Sequence, residues 1–170
     1  MINIFLNNLI KKLTKSHERV KTFREYTDIQ HVTILFDMED LSVVQTFVET
    51  LKADGKDVTA FSFASKKSTN MQLPEHFQIW SRNQLDFWGI PKEPDFKKFK
   101  GQKSDTLIDL TKNSSSVLRY LLLHSCADFR VGFNHNNAKL YDFLIERNQE
   151  QDFSYFVNQM LFYMKSIRTK

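Results

Sequence analysis

The sequence predicts an α/β fold: a three-layer Rossmann-like domain with a mostly parallel sheet, preceded by an N-terminal amphipathic helix. The first observation is the stretch from Ser104 to Gly132, where a strand, a polar cap, a helix and a second strand follow one another with almost no slack. This is the pattern of a parallel crossover. The second is the alternation of strand-like and helix-like segments along most of the chain, which favours a sheet covered on both faces. The third is the 41% share of hydrophobic residues among 170, enough for the core of a single domain.

Strands are predicted where short apolar runs carry β-branched or aromatic residues. These runs are 31–37, 57–63, 77–80, 106–110 and 129–131, with a weaker last run at 141–145. Right-handed crossovers favour the strand order 3-2-1-4-5, in which the first strand lies beside the strand at 106–110. The direction of building reverses between these two strands, and ligands of such folds bind at that switch point.

Helices are predicted where apolar residues recur at helical spacing. These segments are 41–51, 117–122 and 153–167. Between 81 and 103 both patterns dissolve, so we expect an irregular excursion with about one helical turn. Its aromatic residues Trp88, Phe96 and Phe99 indicate that part of the excursion folds back over the sheet.

The start of the chain has its own character. Apolar residues recur on one helical face from Ile2 to Leu13, which predicts a helix over residues 2–24. Residues 1–26 carry six basic and two acidic side chains, whereas the remaining 144 residues balance at 18 against 18. We therefore divide the chain into a basic amphipathic helix, 1–28, and a single α/β domain, 29–170.

Such a helix can bind an anionic membrane surface, a protein partner or a second copy of the chain, or it can pack on its own domain. The residues predicted to make a membrane or partner contact are Phe5, Leu9, Lys11, Lys12 and Lys15.

Polar residues cluster where the two central strands end. The candidate ligand-binding residues are Asp37, Asp40, Asp109, Thr111, Asn113 and Ser114. Paired carboxylates can hold a divalent cation or act as acid and base, and a helix N-terminus can bind a phosphate. The same residue types also cap helices and accept hydrogen bonds from turn amides without binding any ligand.

No catalytic signature accompanies these residues. The first strand is followed by DMEDLS, without the glycines of a dinucleotide or phosphate loop, and Gly-x-Ser-x-Gly is missing. Cys126 is the single cysteine, and the five histidines are scattered. We therefore predict no catalytic residue, metal or cofactor. The lysines at 97–103 indicate a solvated face and not a nucleic-acid site. Without a run of about 18 apolar residues, a cytoplasmic protein is expected.

Three segments carry a resemblance to known families: DTLIDL, SVLRYLLLHSCADFRVGF and YDFLIE. Together with the basic N-terminal helix, they resemble a family of short uncharacterised Bacteroidota proteins, a domain of unknown function, over most of residues 1–168. More distantly, residues 31–55 and 104–133 resemble the N-terminal half of ADP-heptose-type heptosyltransferases. In those enzymes a Gly-Asp pair follows the first strand, where this chain has Glu39 and Asp40. The donor-binding second domain is also missing, so this resemblance supports the fold more than glycosyl transfer.

From these observations we expect a non-catalytic α/β binding or interaction domain, attached to a partner or to the inner membrane face by its N-terminal helix. The alternative is a reduced glycosyltransferase-like domain, or one that binds a nucleotide or sugar at the switch point.

Overall fold

The computed structural model of the chain describes residues 4–66, 71–113, 115–133 and 135–170. Within these residues lie five α-helices and six strands, together with four short 3-10 helices. The helices are α1 Ile4–Ser16, α2 Leu41–Ala53, α3 Asp95–Gly101, α4 Ser116–His124 and α5 Phe153–Ser166. The strands are β1 His31–Leu35, β2 Asp57–Phe63, β3 Phe77–Trp80, β4 Thr106–Asp109, β5 Phe129–Gly132 and β6 Phe143–Leu144.

The strands form one six-stranded sheet in the order β3-β2-β1-β4-β5-β6. Every neighbouring pair is parallel. The α/β class, the parallel sheet and the predicted order of the first five strands are therefore confirmed, and β6 extends the sheet by one strand. β1 and β4 lie side by side, with Leu35 opposite Asp109, so the switch point falls where it was predicted.

The helices cover both faces of the sheet and make it a three-layer structure. Ile34 of β1 points into a core shared with α2 and α5. Its neighbour Leu35 points into a second core, on the opposite face, shared with α1, α3 and α4. This alternation explains why β1 appears as an uninterrupted apolar run, because both of its faces are buried.

The N-terminal helix packs on the domain and is shorter than predicted, ending at Ser16 instead of residue 24. Its Leu6 is only 2% exposed and packs in the core shared with α4. Burial of one leucine contributes about 1.5–3 kcal/mol, so the docked position of α1 is favoured. The Ser16 hydroxyl donates to the carbonyl groups of Lys12 and Leu13, which satisfies acceptors at the helix end.

Residues 17–25, here called the strap, continue from α1 along the sheet without helical structure. Arg19 donates two hydrogen bonds of 3.0 Å to the Asp142 carboxylate. Arg24 makes a second bidentate pair, with Asp128, at 2.9 Å. These long-range bonds anchor the strap in place of a helical turn, and the local residue pattern gives no sign of them.

The excursion at 81–103 is more regular than predicted. It contains α3, which is seven residues long, and the expected folding back of Phe96 and Phe99 is confirmed because both are buried. Trp88 remains 52% exposed, so only part of the excursion folds back, as predicted. A turn around Gly89 holds it away from the core.

Candidate functional site

The carboxyl ends of β1 and β4 bring most of the predicted ligand-binding residues together. Asp37 follows β1 by two residues, and Asp109 is the last residue of β4. Asp37, Asp109 and Thr111 are buried together with Asp40. Asn113 lies in the loop after β4. Ser114, the last residue of the predicted set, lies outside the described residues.

Asp37 is used to fix the loop after β4. Its Oδ2 atom accepts hydrogen bonds from the backbone N–H groups of Lys112 at 2.7 Å and Asn113 at 2.9 Å. The Asn113 side-chain amide donates to the same oxygen at 3.3 Å. Burial raises the pKa of the Asp37 carboxyl, and the nearby charges of Asp40 and Glu39 add to the rise, while the two backbone bonds oppose it. Asp37 therefore ties two strand ends together.

The two acidic residues after Asp37 share one lysine. Lys112 Nζ lies 2.9 Å from Asp40 Oδ1 and 3.0 Å from Glu39 Oε1. Burial lowers the pKa of Lys112, but its hydrogen bonds to Asp40 and Glu39 outweigh that effect and raise it. The hydrogen bond to Lys112 also lowers the pKa of Glu39. The ammonium group thus supplies the positive charge that these carboxylates require.

Asp37, Glu39 and Asp40 form the acidic cluster, whose candidate ligand atoms lie within 4.8 Å of one another. Carboxylates at this spacing could hold a divalent cation. One oxygen of each carboxylate is already engaged by the chain itself: Asp37 Oδ2, Glu39 Oε1 and Asp40 Oδ1. Asp40 Oδ2 is buried and has no hydrogen-bond partner in the described part of the chain. A cation could bind there only if the Lys112 ammonium group first moved away from Asp40 and Glu39.

Asp109 and Thr111 serve the interior of the domain. Asp109 Oδ1 accepts from the backbone N–H of Thr111 at 3.0 Å and from its hydroxyl at 2.6 Å. The other oxygen accepts from the buried hydroxyl of Tyr141. Burial, with the charge of Asp109, raises the pKa of Tyr141. This bonding pattern links β4 to the segment before β6 and leaves neither carboxylate oxygen of Asp109 without a partner.

The predicted contact residues of α1 have different surroundings. Phe5 is 48% exposed, whereas Leu9 packs partly against the core. Lys11 and Lys15 line a cavity of about 1050 Å³ between α1 and α4. Lys12 is exposed. One helix therefore serves the core, the cavity and the outer surface.

Sequence reasoning missed two groups of residues at this end of the sheet. The first is Phe87 and Trp88, an exposed aromatic pair within the excursion. The second is the set of basic residues that line the cavity from outside α1: Arg82, Arg119 and Lys139. The sequence does contain a signal for part of each group. Phe87 and Trp88 stand between Asp86 and Gly89, a typical turn sequence, and Arg119 interrupts the apolar run of α4.

Comparison with known proteins agrees with this picture of an unassigned site. Residues 3–167 match the Family of unknown function (DUF6913). The chain belongs to this family. No curated protein and no solved structure matches the chain, so the family brings no activity or ligand with it. In the described part of the chain, no helix combines the length and the apolar character that are needed to cross a bilayer.

Proposed function

We propose that this protein is a non-catalytic binding domain that attaches to an anionic membrane surface, at the inner membrane face, through a composite apolar surface. That surface, the docking patch, consists of Ile4, Phe5, Phe87 and Trp88. The observation that carries the proposal is their exposure, which is 72%, 48%, 84% and 52% respectively. Contiguous exposed apolar patches of this kind are typical of protein or membrane contact sites.

The docking patch is built from two distant segments of the chain. The Phe5 and Trp88 rings lie 5.0 Å apart between centroids, and Phe87 and Trp88 lie 5.3 Å apart. Aromatic side chains of this type suit the boundary between water and acyl chains. Because α1 supplies one part and the turn after Leu85 supplies the other, the docked position of α1 is what creates the surface.

The turn that carries the aromatic pair is well anchored. Asp86 Oδ1 accepts from the backbone N–H groups of Trp88 at 2.8 Å and Ile90 at 2.9 Å. Gly89 adopts a φ of 79°, a left-handed conformation that glycine tolerates best. The turn therefore holds Phe87 and Trp88 outward in fixed positions.

The charges near the docking patch favour lipid as its occupant. Lys12 lies seven residues after Phe5 and hence on the same face of α1. Lys12 is exposed, whereas Arg19 and Arg24 of the same N-terminal segment are paired with Asp142 and Asp128. Each basic residue near an anionic bilayer adds about 1 kcal/mol of attraction. Apolar rings flanked by lysines match an anionic lipid surface better than a neutral protein surface.

Tryptophan fluorescence tests the proposal, because the chain has two tryptophans and Trp80 is 5% exposed. Phosphatidylcholine vesicles with phosphatidylserine should bind the protein and shift the Trp88 emission to shorter wavelength, while pure phosphatidylcholine should do so much less. Phe87→Ser should weaken the binding by about tenfold or more. Phe162→Ser is the matched control, since Phe162 is 67% exposed on α5, which covers the other face.

Equal loss of vesicle binding in Phe87→Ser and Phe162→Ser, or no binding by the wild-type protein, would contradict the proposal. A wild-type dimer that Phe87→Ser converts to a monomer would instead assign the docking patch to self-association. Light scattering of both proteins without lipid distinguishes that outcome.

A second candidate is the reduced glycosyltransferase-like or nucleotide- and sugar-binding domain at Asp37, Asp40 and Asp109. Its basis is the position of these carboxylates at the switch point, where ligands of such folds bind. The resemblance to heptosyltransferases and the Bacteroidota origin remain predictions and give no support to glycosyl transfer. Hydrogen bonds that already occupy Oδ2 of Asp37 and both carboxylate oxygens of Asp109 argue against this candidate. A sugar nucleotide that raises the melting temperature of the wild type but not of Asp37→Asn would reverse this preference.

A further inference from the structure

The cavity between α1 and α4 has the size of a ligand site. Its volume is about 1050 Å³, and it opens broadly to solvent; this is just above the usual range for small-molecule sites, roughly 300–1,000 Å³. Asn7 of α1, Phe63 at the end of β2 and Ser116 at the start of α4 contribute to its wall. It therefore lies on the carboxyl side of the parallel strands, where ligands of such folds bind.

The cavity is strongly basic. Five of its lining residues are cationic: Lys11, Lys15, Arg82, Arg119 and Lys139. Among the described residues that line it, none is Asp or Glu. The ion pairs found between described residues involve none of the five. Low-dielectric walls of one charge concentrate the field and attract counter-ions.

Arg119 is the clearest case of a cationic side chain without an acidic partner among the described residues. Its Nη1 atom is buried and has no hydrogen-bond partner among the described residues. Asp109 makes no ion pair with Arg119 among the described residues, since its oxygens accept from Thr111 and Tyr141. Because Arg119 lines the cavity, an anion bound there would meet the accessible part of its guanidinium group and supply the charge that the described residues do not.

The start of α4 adds to the attraction. Ser115 caps the helix by accepting from the backbone N–H of Leu118 at 3.3 Å. Ser116 and Val117, in the first turn, line the cavity. The first N–H groups of a helix lack partners within the helix and carry partial positive charge. An anion held by Arg119 would lie close to this end of α4.

Apolar residues complete the lining and narrow the class of ligand. Leu6, Ile10, Phe63, Leu85 and Val117 all contribute to the wall. They suit an organic body, while the cationic side chains suit a compact group with several acceptor oxygens. A phosphate monoester carries up to two negative charges and three strong acceptors, and arginine binds it with two parallel hydrogen bonds.

We propose that this cavity binds a phosphate monoester, with Arg119, Lys15 and Lys11 holding the phosphate and the apolar wall receiving the organic part. The phosphate can belong to a soluble metabolite or to a lipid headgroup. The acidic cluster plays no part in this site, so the proposal is independent of the nucleotide or sugar site at Asp37. It also differs from membrane attachment, because the docking patch and the phosphate contacts use different residues.

The test uses the full chain with two probes, inorganic pyrophosphate and phosphatidylcholine vesicles that contain phosphatidic acid. Calorimetric titration should show saturable binding of at least one probe, weakened about tenfold or more in Arg119→Gln and in Lys15→Gln. Lys52→Gln is the matched control, because Lys52 is exposed on α2 on the other face of the sheet. Circular dichroism verifies that each variant is folded.

The two probes separate the two sources of phosphate. Pyrophosphate binding that depends on Arg119 indicates a soluble ligand, whereas a loss confined to phosphatidic acid vesicles indicates a lipid headgroup. The phosphate of phosphatidylserine is a diester, so phosphatidylserine vesicles should bind the wild type and Arg119→Gln alike. This control distinguishes a failure of membrane attachment from a failure of phosphate binding in the cavity.

If Arg119→Gln does not fold, Lys15→Gln carries the comparison, because Lys15 is exposed. The proposal is overturned if neither probe binds the wild-type protein, or if both probes bind the wild type, Lys15→Gln and Lys52→Gln equally.

Discussion

Two charged regions meet at the carboxyl end of the sheet, and they differ in how their charge is balanced. The acidic cluster of Asp37, Glu39 and Asp40 is balanced by Lys112 and by backbone N–H groups. The basic cavity shows no comparable balance among the described residues. Asn113 belongs to both regions, since it donates to Asp37 and lines the cavity. Charge that is balanced within the fold stabilises it, whereas unbalanced charge is available to a ligand.

Removal of Lys112, which balances the acidic cluster, is the strongest test of this difference between the two regions. Lys112→Met leaves Asp40, whose side chain is 8% exposed, without its counter-ion. We expect the free energy of unfolding to fall by about 2–4 kcal/mol, because an unpaired buried charge is costly. Lys139→Met in the cavity should change it by less than about 0.5 kcal/mol. Urea denaturation measures both, and equal losses would remove the distinction between the regions.

A smaller effect is expected from Asp37→Ala. This change leaves the backbone N–H groups of Lys112 and Asn113 without their acceptor, and each unmet buried donor costs about 1–3 kcal/mol before relaxation and solvent access reduce the loss. The urea midpoint should fall clearly below that of the wild type. Glu49→Gln, at an exposed position of α2, is the control and should leave the midpoint unchanged. An unchanged midpoint in Asp37→Ala would mean that the loop after β4 is held by other contacts.

The smallest effect concerns pH. The pKa of Asp37 is raised above 3.8 by burial, and that of Glu39 is lowered below 4.5 by its hydrogen bond to Lys112. The folded state thus holds the Asp37 proton more tightly than the unfolded state, so the contribution of this group is present at low pH and is lost as pH rises through its folded pKa. The contribution of Glu39 is present above 4.5 and is lost as pH falls. Carboxyl NMR titration should give midpoints displaced in opposite directions, and a Glu39 midpoint above its ordinary value would refute the shared lysine.

Much of the fold could be predicted because parallel strands buried on both faces appear as short apolar runs. β2 and β3 have the predicted bounds, and the position of β1 beside β4 followed from the handedness of crossovers. The strap could not be predicted in this way. Arg19 and Asp142 are 123 residues apart, and no local pattern indicates that they will meet.

The residues of the candidate site were predicted, but their hydrogen-bond and ion-pair partners were not. Asp37, Asp40 and Asp109 do lie at the switch point, yet a sequence does not reveal that Lys112 and Tyr141 will engage them. The basic cavity was missed for a similar reason. Arg82, Arg119 and Lys139 come from three distant segments, so their common surroundings exist only after the chain has folded.

The contacts of the strap also limit when the N-terminal segment can reach its final position during synthesis. Asp142 is synthesised 123 residues after its partner Arg19, which at roughly 5–20 residues per second is a delay of about 6–25 s. α4, on which α1 packs, also appears late. During that interval α1 is already made but has no surface on which to dock, so its apolar face is open to chaperones or to other nascent chains. α1 is thus synthesised well before α4, on which it packs, and reaches its final position late.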